Sequence, residues 1–186
     1  MEKPDAKHIL VTGGIRSGKS NWAQKYLSGF TDVGYIATAR CWDDEMRRRI
    51  DRHRASRPAR WTTYEAYRDL DRVVEAGSEQ ALLLDCLSNL VTNWMMDAHQ
   101  DYDRVPLEEI GLLEQQIRED VSRFLTACRR RGTALVIVTN ECGSGLVAPY
   151  RLGRLFTDIL GRLNQMLAEE ADEVYLMSCG LPLRLK

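Results

Sequence analysis

The chain has 186 residues, 44% hydrophobic and 28% charged, with a formal net charge of −1. That length and apolar content suit one domain with a buried core, and they exclude a disordered chain or a polycation that binds nucleic acid or anionic lipid by bulk charge. The N-terminal MEKPDAKHILVTGG has no apolar signal region and no apolar run approaches a membrane span, so the expectation is a cytoplasmic protein with no membrane span.

Short apolar runs alternate with helical stretches. HILVT (8–12) predicts a strand that runs into glycines, and residues 20–27 predict a helix. VGYIATA (33–39) is a second strand. DDEM opens a helix with acids in its first turn, where the dipole favours them, and Pro58 ends it. WTTYEA predicts a short strand, LDRVVEAG a helix with a glycine stop, and ALLLDC (81–86) a strand apolar enough to be buried on both faces. SNLVTNWMMD is helical and AHQDYDRVP a polar connection. Ile110, Leu113, Ile117, Val121 and Leu125 mark an amphipathic helix over about 106–131. TALVIVTN is a strand, RLGRLFTDILGRLNQMLAEEA a helix, and EVYLMS and LPLRLK are closing strands joined at Cys179-Gly180. The alternation predicts an α/β fold: one domain spanning 1–186, with a mostly parallel sheet flanked by helices. The five cysteines form no C-x-x-C pair and read as free thiols.

Gly13-x-x-x-x-Gly18-Lys19-Ser20 matches the Walker A phosphate loop, between a strand and a helix. Glycines let backbone N–H groups face phosphate oxygens without a Cβ in the way, and the helix N-terminus adds partial positive charge. Lys19 reaches the phosphates and Ser20 offers a hydroxyl to Mg²⁺. Arg16 is a further donor or a solvated loop arginine. Such a loop wants a second magnesium anchor at the C-terminal end of a neighbouring strand, and ALLLDC supplies Asp85 there, as metal anchor or as helix cap.

Seven arginines (Arg47, Arg48, Arg49, Arg52, Arg54, Arg57 and Arg60) surround His53. The residues alone leave three readings open: a solvated basic helix, a nucleic-acid patch short of aromatic residues for stacking, or a nucleophilic imidazole kept neutral by surrounding cations and able to carry a nucleotidyl group.

Taken together, ILVTGGIRSGKSNWAQ, YIATAR, DDEMRRRIDRHRASRPARWTTYEA, LLLDCLSNLVTN, VTNECGSGLV and RLGRLFTDILGRLNQMLAEEADEVYLM resemble the bifunctional adenosylcobinamide kinase / adenosylcobinamide-phosphate guanylyltransferase family of cobalamin biosynthesis. The resemblance runs over nearly the whole chain and is weakest around residues 97–110. It implies phosphorylation of adenosylcobinamide with ATP or GTP, then transfer of GMP from GTP through a guanylylated histidine, which His53 matches by its place before Arg57-Pro58-Ala59-Arg60-Trp61. It implies nucleotide contacts at Gly13, Gly14, Ile15, Arg16, Ser17, Gly18, Lys19 and Ser20, at Thr38, Ala39 and Arg40, at Arg54, Ala55, Ser56 and Arg57, and at Glu65 and Asp85. It further implies Mg²⁺ at Ser20 and Asp85, a RecA-like P-loop domain, a homotrimer, and adenosylcobinamide and its phosphate rather than nucleic acid as partners. Three departures stand out. Arg52 replaces the first of two adjacent histidines, Asp85 stands where Glu is common, and Ala148-Pro149-Tyr150 follows NECGSGLV in place of Pro-Glu-Asn. A kinase without nucleotidyl transfer and a RecA-like regulatory or nucleic-acid-binding NTPase are the alternatives. His8 and His99 match nothing catalytic and read as strand-edge and loop residues.

Overall fold

The structure, a computed structural model, describes residues 6–41, 43–55 and 57–186, with the side chains of residues 45, 49, 52, 53 and 55 outside that description. In chain order the elements are β1 (His8–Gly13), α1 (Lys19–Leu27), β2 (Val33–Ala37), α2 (Asp44–Ala55), β3 (Thr62–Glu65), α3 (Leu70–Ala76), β4 (Ala81–Asp85), α4 (Leu87–Ala98), α5 (Leu107–Arg131), β5 (Ala134–Val138), α6 (Arg151–Glu170), β6 (Glu173–Ser178) and β7 (Leu181–Arg184). Among the described residues, seven strands form one sheet in the order β3-β2-β4-β5-β1-β6-β7. Every pairing is parallel except β6 with β7. This is the mostly parallel α/β architecture expected, with β5 between the phosphate-loop strand β1 and the strand β4 that ends in Asp85.

Burial follows from side-chain alternation along the strands. Leu10, Leu82, Leu84, Leu135 and Ile137 face one core with α3, α4, α5 and α6, while Ile9, Val11, Leu83, Val136 and Val138 face a second core with Ala23 and Leu27 of α1 and with Trp61. Leu82, Leu83 and Leu84 lose essentially all solvent contact; burying each contributes about 2 kcal/mol, which explains an unbroken apolar run in a strand covered on both sides. α5 starts after Pro106, carries Glu108 and Glu109 in its first turn and Arg129, Arg130 and Arg131 in its last, and stops at Gly132 in the left-handed conformation (φ 67°).

Parallel pairing brings the C-terminal ends of β1, β2, β4 and β5 to one edge, where open α/β sheets hold ligands. β2 ends at Ala37, so Thr38, Ala39 and Arg40 belong to the connection that leaves this edge. His8 departs from its strand-edge reading: it opens β1, a central strand paired on both sides, and is buried. The five cysteines are free. Among the described residues, no helix is long and apolar enough to cross a membrane.

Candidate active site

The phosphate loop turns on glycines where backbone geometry demands them. Gly13 has φ 146°, and a Cβ there would stand 2.5 Å from the Met177 carbonyl oxygen; Gly18 has φ 98° and faces the Gly180 Cα. Arg16 takes the left-handed region at φ 58°. The loop is braced from outside: the Gly180 N–H donates to the Ser17 carbonyl at 2.9 Å and the Glu141 N–H to the Gly13 carbonyl at 3.1 Å. Ile15 is exposed, whereas Lys19 is buried.

Lys19 donates from Nζ to the Gly13 and Gly14 carbonyls, at 2.9 and 2.6 Å. Burial holds its ammonium below the usual lysine range, opposed by Cys86, Asp85 and Cys142. The Ser17 hydroxyl is buried without a hydrogen-bond partner, as is that of Thr12 one residue before the loop. Buried hydroxyl donors beside a glycine loop suit the binding of oxyanions. Ser20, half-buried, lies in the first turn of α1.

Asp85 ends β4 directly opposite Ala37 of β2. Its Oδ2 accepts a hydrogen bond from the Tyr35 hydroxyl at 2.6 Å. Tyr35 is itself buried, and desolvation, followed by the charge of Asp85, pushes its phenol above the usual range. Arg57 lies over the other part of the same side chain, its guanidinium carbon 3.6 Å from the Tyr35 ring centroid. Arg57 also donates to the Thr63 hydroxyl at 3.4 Å, while its Nε is buried without a partner. Beside Asp85, burial pushes the Cys86 thiol up to about 11, so it is no ready nucleophile at neutral pH.

Thr38 ties the two strand ends together. Its hydroxyl donates to the Cys86 carbonyl at 2.7 Å and accepts from the Cys86 N–H at 2.8 Å, and its carbonyl accepts from Asn93 Nδ2 at 2.6 Å. Arg40 donates to Asp97 Oδ1 at 2.6 Å and to the Tyr67 hydroxyl at 3.3 Å. Arg68 joins the same carboxylate at 3.2 Å and stacks over Trp94 at 3.8 Å. Arg54 and Glu65, both exposed, form a 4.0 Å ion pair.

Of the expected site residues, the phosphate loop, Thr38, Ala39, Arg40 and Asp85 share one sheet edge, and Arg57 reaches that group through Tyr35. The backbone of His53 and Ala55 belongs to the last turns of α2. The side chains of those two residues, and Ser56 entirely, lie outside the described residues. Sequence reasoning did not single out Tyr35, Tyr67, Asn93 or Asp97. A tyrosine inside an otherwise apolar buried strand was the one available signal, because a buried phenol needs a partner. A separate acidic cluster, Asp69, Asp71 and Asp120, has its counter-charge in Arg123, which is within 3.9 Å of all three.

The family model for cobinamide kinase / cobinamide phosphate guanyltransferase matches residues 9–185. The bifunctional adenosylcobalamin biosynthesis protein CobU of Escherichia coli is 42% identical over 96% of this chain and 99% of its own length. The protein of the same name from Salmonella typhimurium is 41% identical over 96% and 99%. A KaiC-like protein from the archaeon Pyrococcus horikoshii, of solved structure, aligns with 93% of this chain and 71% of its own at 17% identity and a TM-score of 0.47. With a family match across nearly its whole length and relatives this similar end to end, the chain belongs to the cobinamide kinase / cobinamide phosphate guanyltransferase family.

Proposed function

We propose that residues 1–186 act as one P-loop catalytic domain that phosphorylates adenosylcobinamide with ATP or GTP and then guanylylates the product, and that His53 is the guanylyl carrier. The observation that carries this reading is the family match over residues 9–185 of a chain whose phosphate loop and Asp85 end neighbouring regions of one sheet edge. That match favours a two-step transferase over a kinase without nucleotidyl transfer and over a nucleic-acid-binding NTPase.

In the kinase step the loop N–H groups and Lys19 hold the triphosphate, and the hydroxyl of the cobinamide aminopropanol arm attacks the γ-phosphorus. Lys19 has only to leave the Gly13 and Gly14 carbonyls to reach phosphate oxygens. The oxygen donors of Ser20 and Asp85 suit a hard cation, and these residues would hold Mg²⁺. Bound there, Mg²⁺ neutralises phosphate charge. In the transferase step a neutral imidazole nitrogen of His53 attacks the α-phosphorus of GTP. The P–N bond forms as the bond to pyrophosphate breaks. The cobinamide phosphate oxygen then displaces the histidine, giving adenosyl-GDP-cobinamide and free imidazole. Arg54 and Arg57 follow His53 in sequence and supply the cationic field that favours its neutral form and holds phosphates. Gly13 through Ser20, Thr38, Ala39, Arg40, Ala55, Ser56 and Glu65 complete the nucleotide site in this reading, Thr38 by fixing the strand ends.

The reading extends to a cytoplasmic homotrimer. Exposed Leu181, Leu183 and Leu185 at the β7 edge offer apolar area for a subunit contact. Incubating the pure protein with adenosylcobinamide, ATP and GTP and identifying the corrinoids by mass tests the activity. Adenosylcobinamide phosphate followed by adenosyl-GDP-cobinamide is the expected sequence, and an unmodified corrinoid would defeat the reading.

A further inference from the structure

Between the acid at the sheet edge and the arginine-rich helix stands one side chain to which no role has been given. Tyr35 lies in the middle of β2, is 2% exposed, and touches both sides: its hydroxyl donates to Asp85 Oδ2 at 2.6 Å, and its ring carries Arg57 at 3.6 Å. We infer that Tyr35 is a positioning residue that aims the Asp85 carboxylate by its hydroxyl and seats Arg57 by its ring, joining the phosphate-loop edge to the segment that bears His53.

The chemistry of each contact supports this. A carboxylate at the end of a strand can rotate about χ2; a short charge-assisted bond to one oxygen removes that freedom and leaves the other oxygen presented. The phenol is held from behind, since Tyr35 is packed in the core with Ile9, Val33, Leu83 and Val136. The hydroxyl is therefore a fixed donor, and Asp85 adjusts to it. The same rigidity makes the ring face a platform. Arg57 is partly buried, and the ring supplies its guanidinium with an electron-rich surface in place of water. Arg57 lies two residues past the end of α2, and its N–H closes on the Arg54 carbonyl at 3.3 Å. Seating Arg57 therefore also sets where the last turn of α2 meets the sheet. A shift at Asp85 is felt at Arg57 through one rigid side chain, without a conformational relay.

The inference rests on the reading of Asp85 as the metal-side acid, and the test separates the two. Mn²⁺ binding in the presence of GTP, followed by electron paramagnetic resonance of the free ion, is measured for the wild type, Tyr35→Phe, Asp85→Asn and the double variant. Tyr35→Phe keeps the ring and loses the hydroxyl. It should weaken Mn²⁺ binding about tenfold while leaving metal-free GTP affinity within about twofold, and should lower kcat with little change in KM. In the Asp85→Asn background the same substitution should change Mn²⁺ binding by less than about twofold, because the carboxylate it aims at the ion is gone. Equal Mn²⁺ affinity in Tyr35→Phe and wild type, or an equal loss in both backgrounds, overturns the positioning role and leaves the function intact. Failure of the wild type to bind Mn²⁺ with GTP overturns both.

A second arm leaves Tyr35 unchanged and needs no metal. Asparagine at 85 still accepts the Tyr35 hydroxyl; alanine does not. Trypsin cleavage after Arg54, followed by mass, should rise about threefold or more in Asp85→Ala and stay at the wild-type rate in Asp85→Asn. Equal cleavage in the two variants contradicts a link from Asp85 through Tyr35 to the end of α2.

Discussion

The hydroxyl of Thr38 and the peptide of Cys86 exchange two hydrogen bonds, one donated at 2.7 Å and one accepted at 2.8 Å. A single side chain thus satisfies both backbone groups of the residue after Asp85 and locks the ends of β2 and β4 together beside the phosphate loop. Thr38 is 1% exposed, so water cannot replace what it gives.

Thr38→Val keeps the shape and removes both bonds, leaving the Cys86 N–H without a partner, while the Cys86 carbonyl still accepts from the Leu90 N–H at 3.2 Å. The expected loss is about 1–3 kcal/mol of stability, from one unsatisfied backbone group. Urea unfolding should show a lower midpoint with an unchanged slope, and turnover should fall at temperatures where the variant is still folded. A midpoint equal to the wild type would mean that the strand ends are held by their backbone pairing alone.

Under the proposed function, the two bonds that Lys19 makes to the Gly13 and Gly14 carbonyls give way to phosphate. Lys19→Ala should weaken GTP binding by a factor of about 10–100, the worth of a charge-assisted contact of about 1.5–3 kcal/mol, and both reactions should slow together. The loop itself should stay folded, because Gly180 and Glu141 brace it independently. Calorimetric titration with GTP checks this, and an unchanged affinity would remove the loop from the site.

His8 provides a pH signature remote from the chemistry. Burial, then the charge of Arg129, holds its imidazole down at about 4, against the opposing pull of Asp172 and a hydrogen bond to the Thr133 backbone. The folded-state value lies below the unfolded one, so the unfolded chain takes up the proton first. Above about pH 6.5 the residue contributes no pH dependence; as pH falls from there to about 4, stability is lost at up to about 1.4 kcal/mol per pH unit. Unfolding free energies measured across that window should fall for the wild type, and His8→Gln should flatten the slope by close to one proton. Parallel slopes in the two proteins would place the titrating group elsewhere.

Much of this fold was legible because local signals and global topology agree. Unbroken apolar runs such as ALLL can be buried only between two layers, and Gly132 and Pro106 bound α5 by their own backbone constraints. The phosphate loop was legible for the same reason, since its glycines are dictated by φ values within the loop. The ties between elements were not. Tyr35 and Asp85 meet because β2 pairs β4 with Ala37 opposite Asp85, and register between strands nearly fifty residues apart has no local signature. Thr38 with Cys86, and Arg40 and Arg68 with Asp97, depend on the same long-range pairing. His8 reads as a strand-edge residue because it is polar and opens an apolar run, whereas the strand it opens is central in the sheet and its side chain is buried.

The proposed function needs His53 as the carrier of GMP, and one labelling experiment addresses that role directly. The protein is incubated with GTP labelled at the α-phosphate, and in parallel with γ-labelled GTP, then digested and mapped by mass. A phosphoramidate is expected: stable in alkali, labile in acid, carrying the α label and not the γ label, on the peptide containing His53. His53→Ala should lose the label and the formation of adenosyl-GDP-cobinamide, and should keep phosphorylation of adenosylcobinamide, which needs no covalent carrier. A His53→Ala protein that still makes adenosyl-GDP-cobinamide at the wild-type rate, or a label that maps to another residue, would contradict the account.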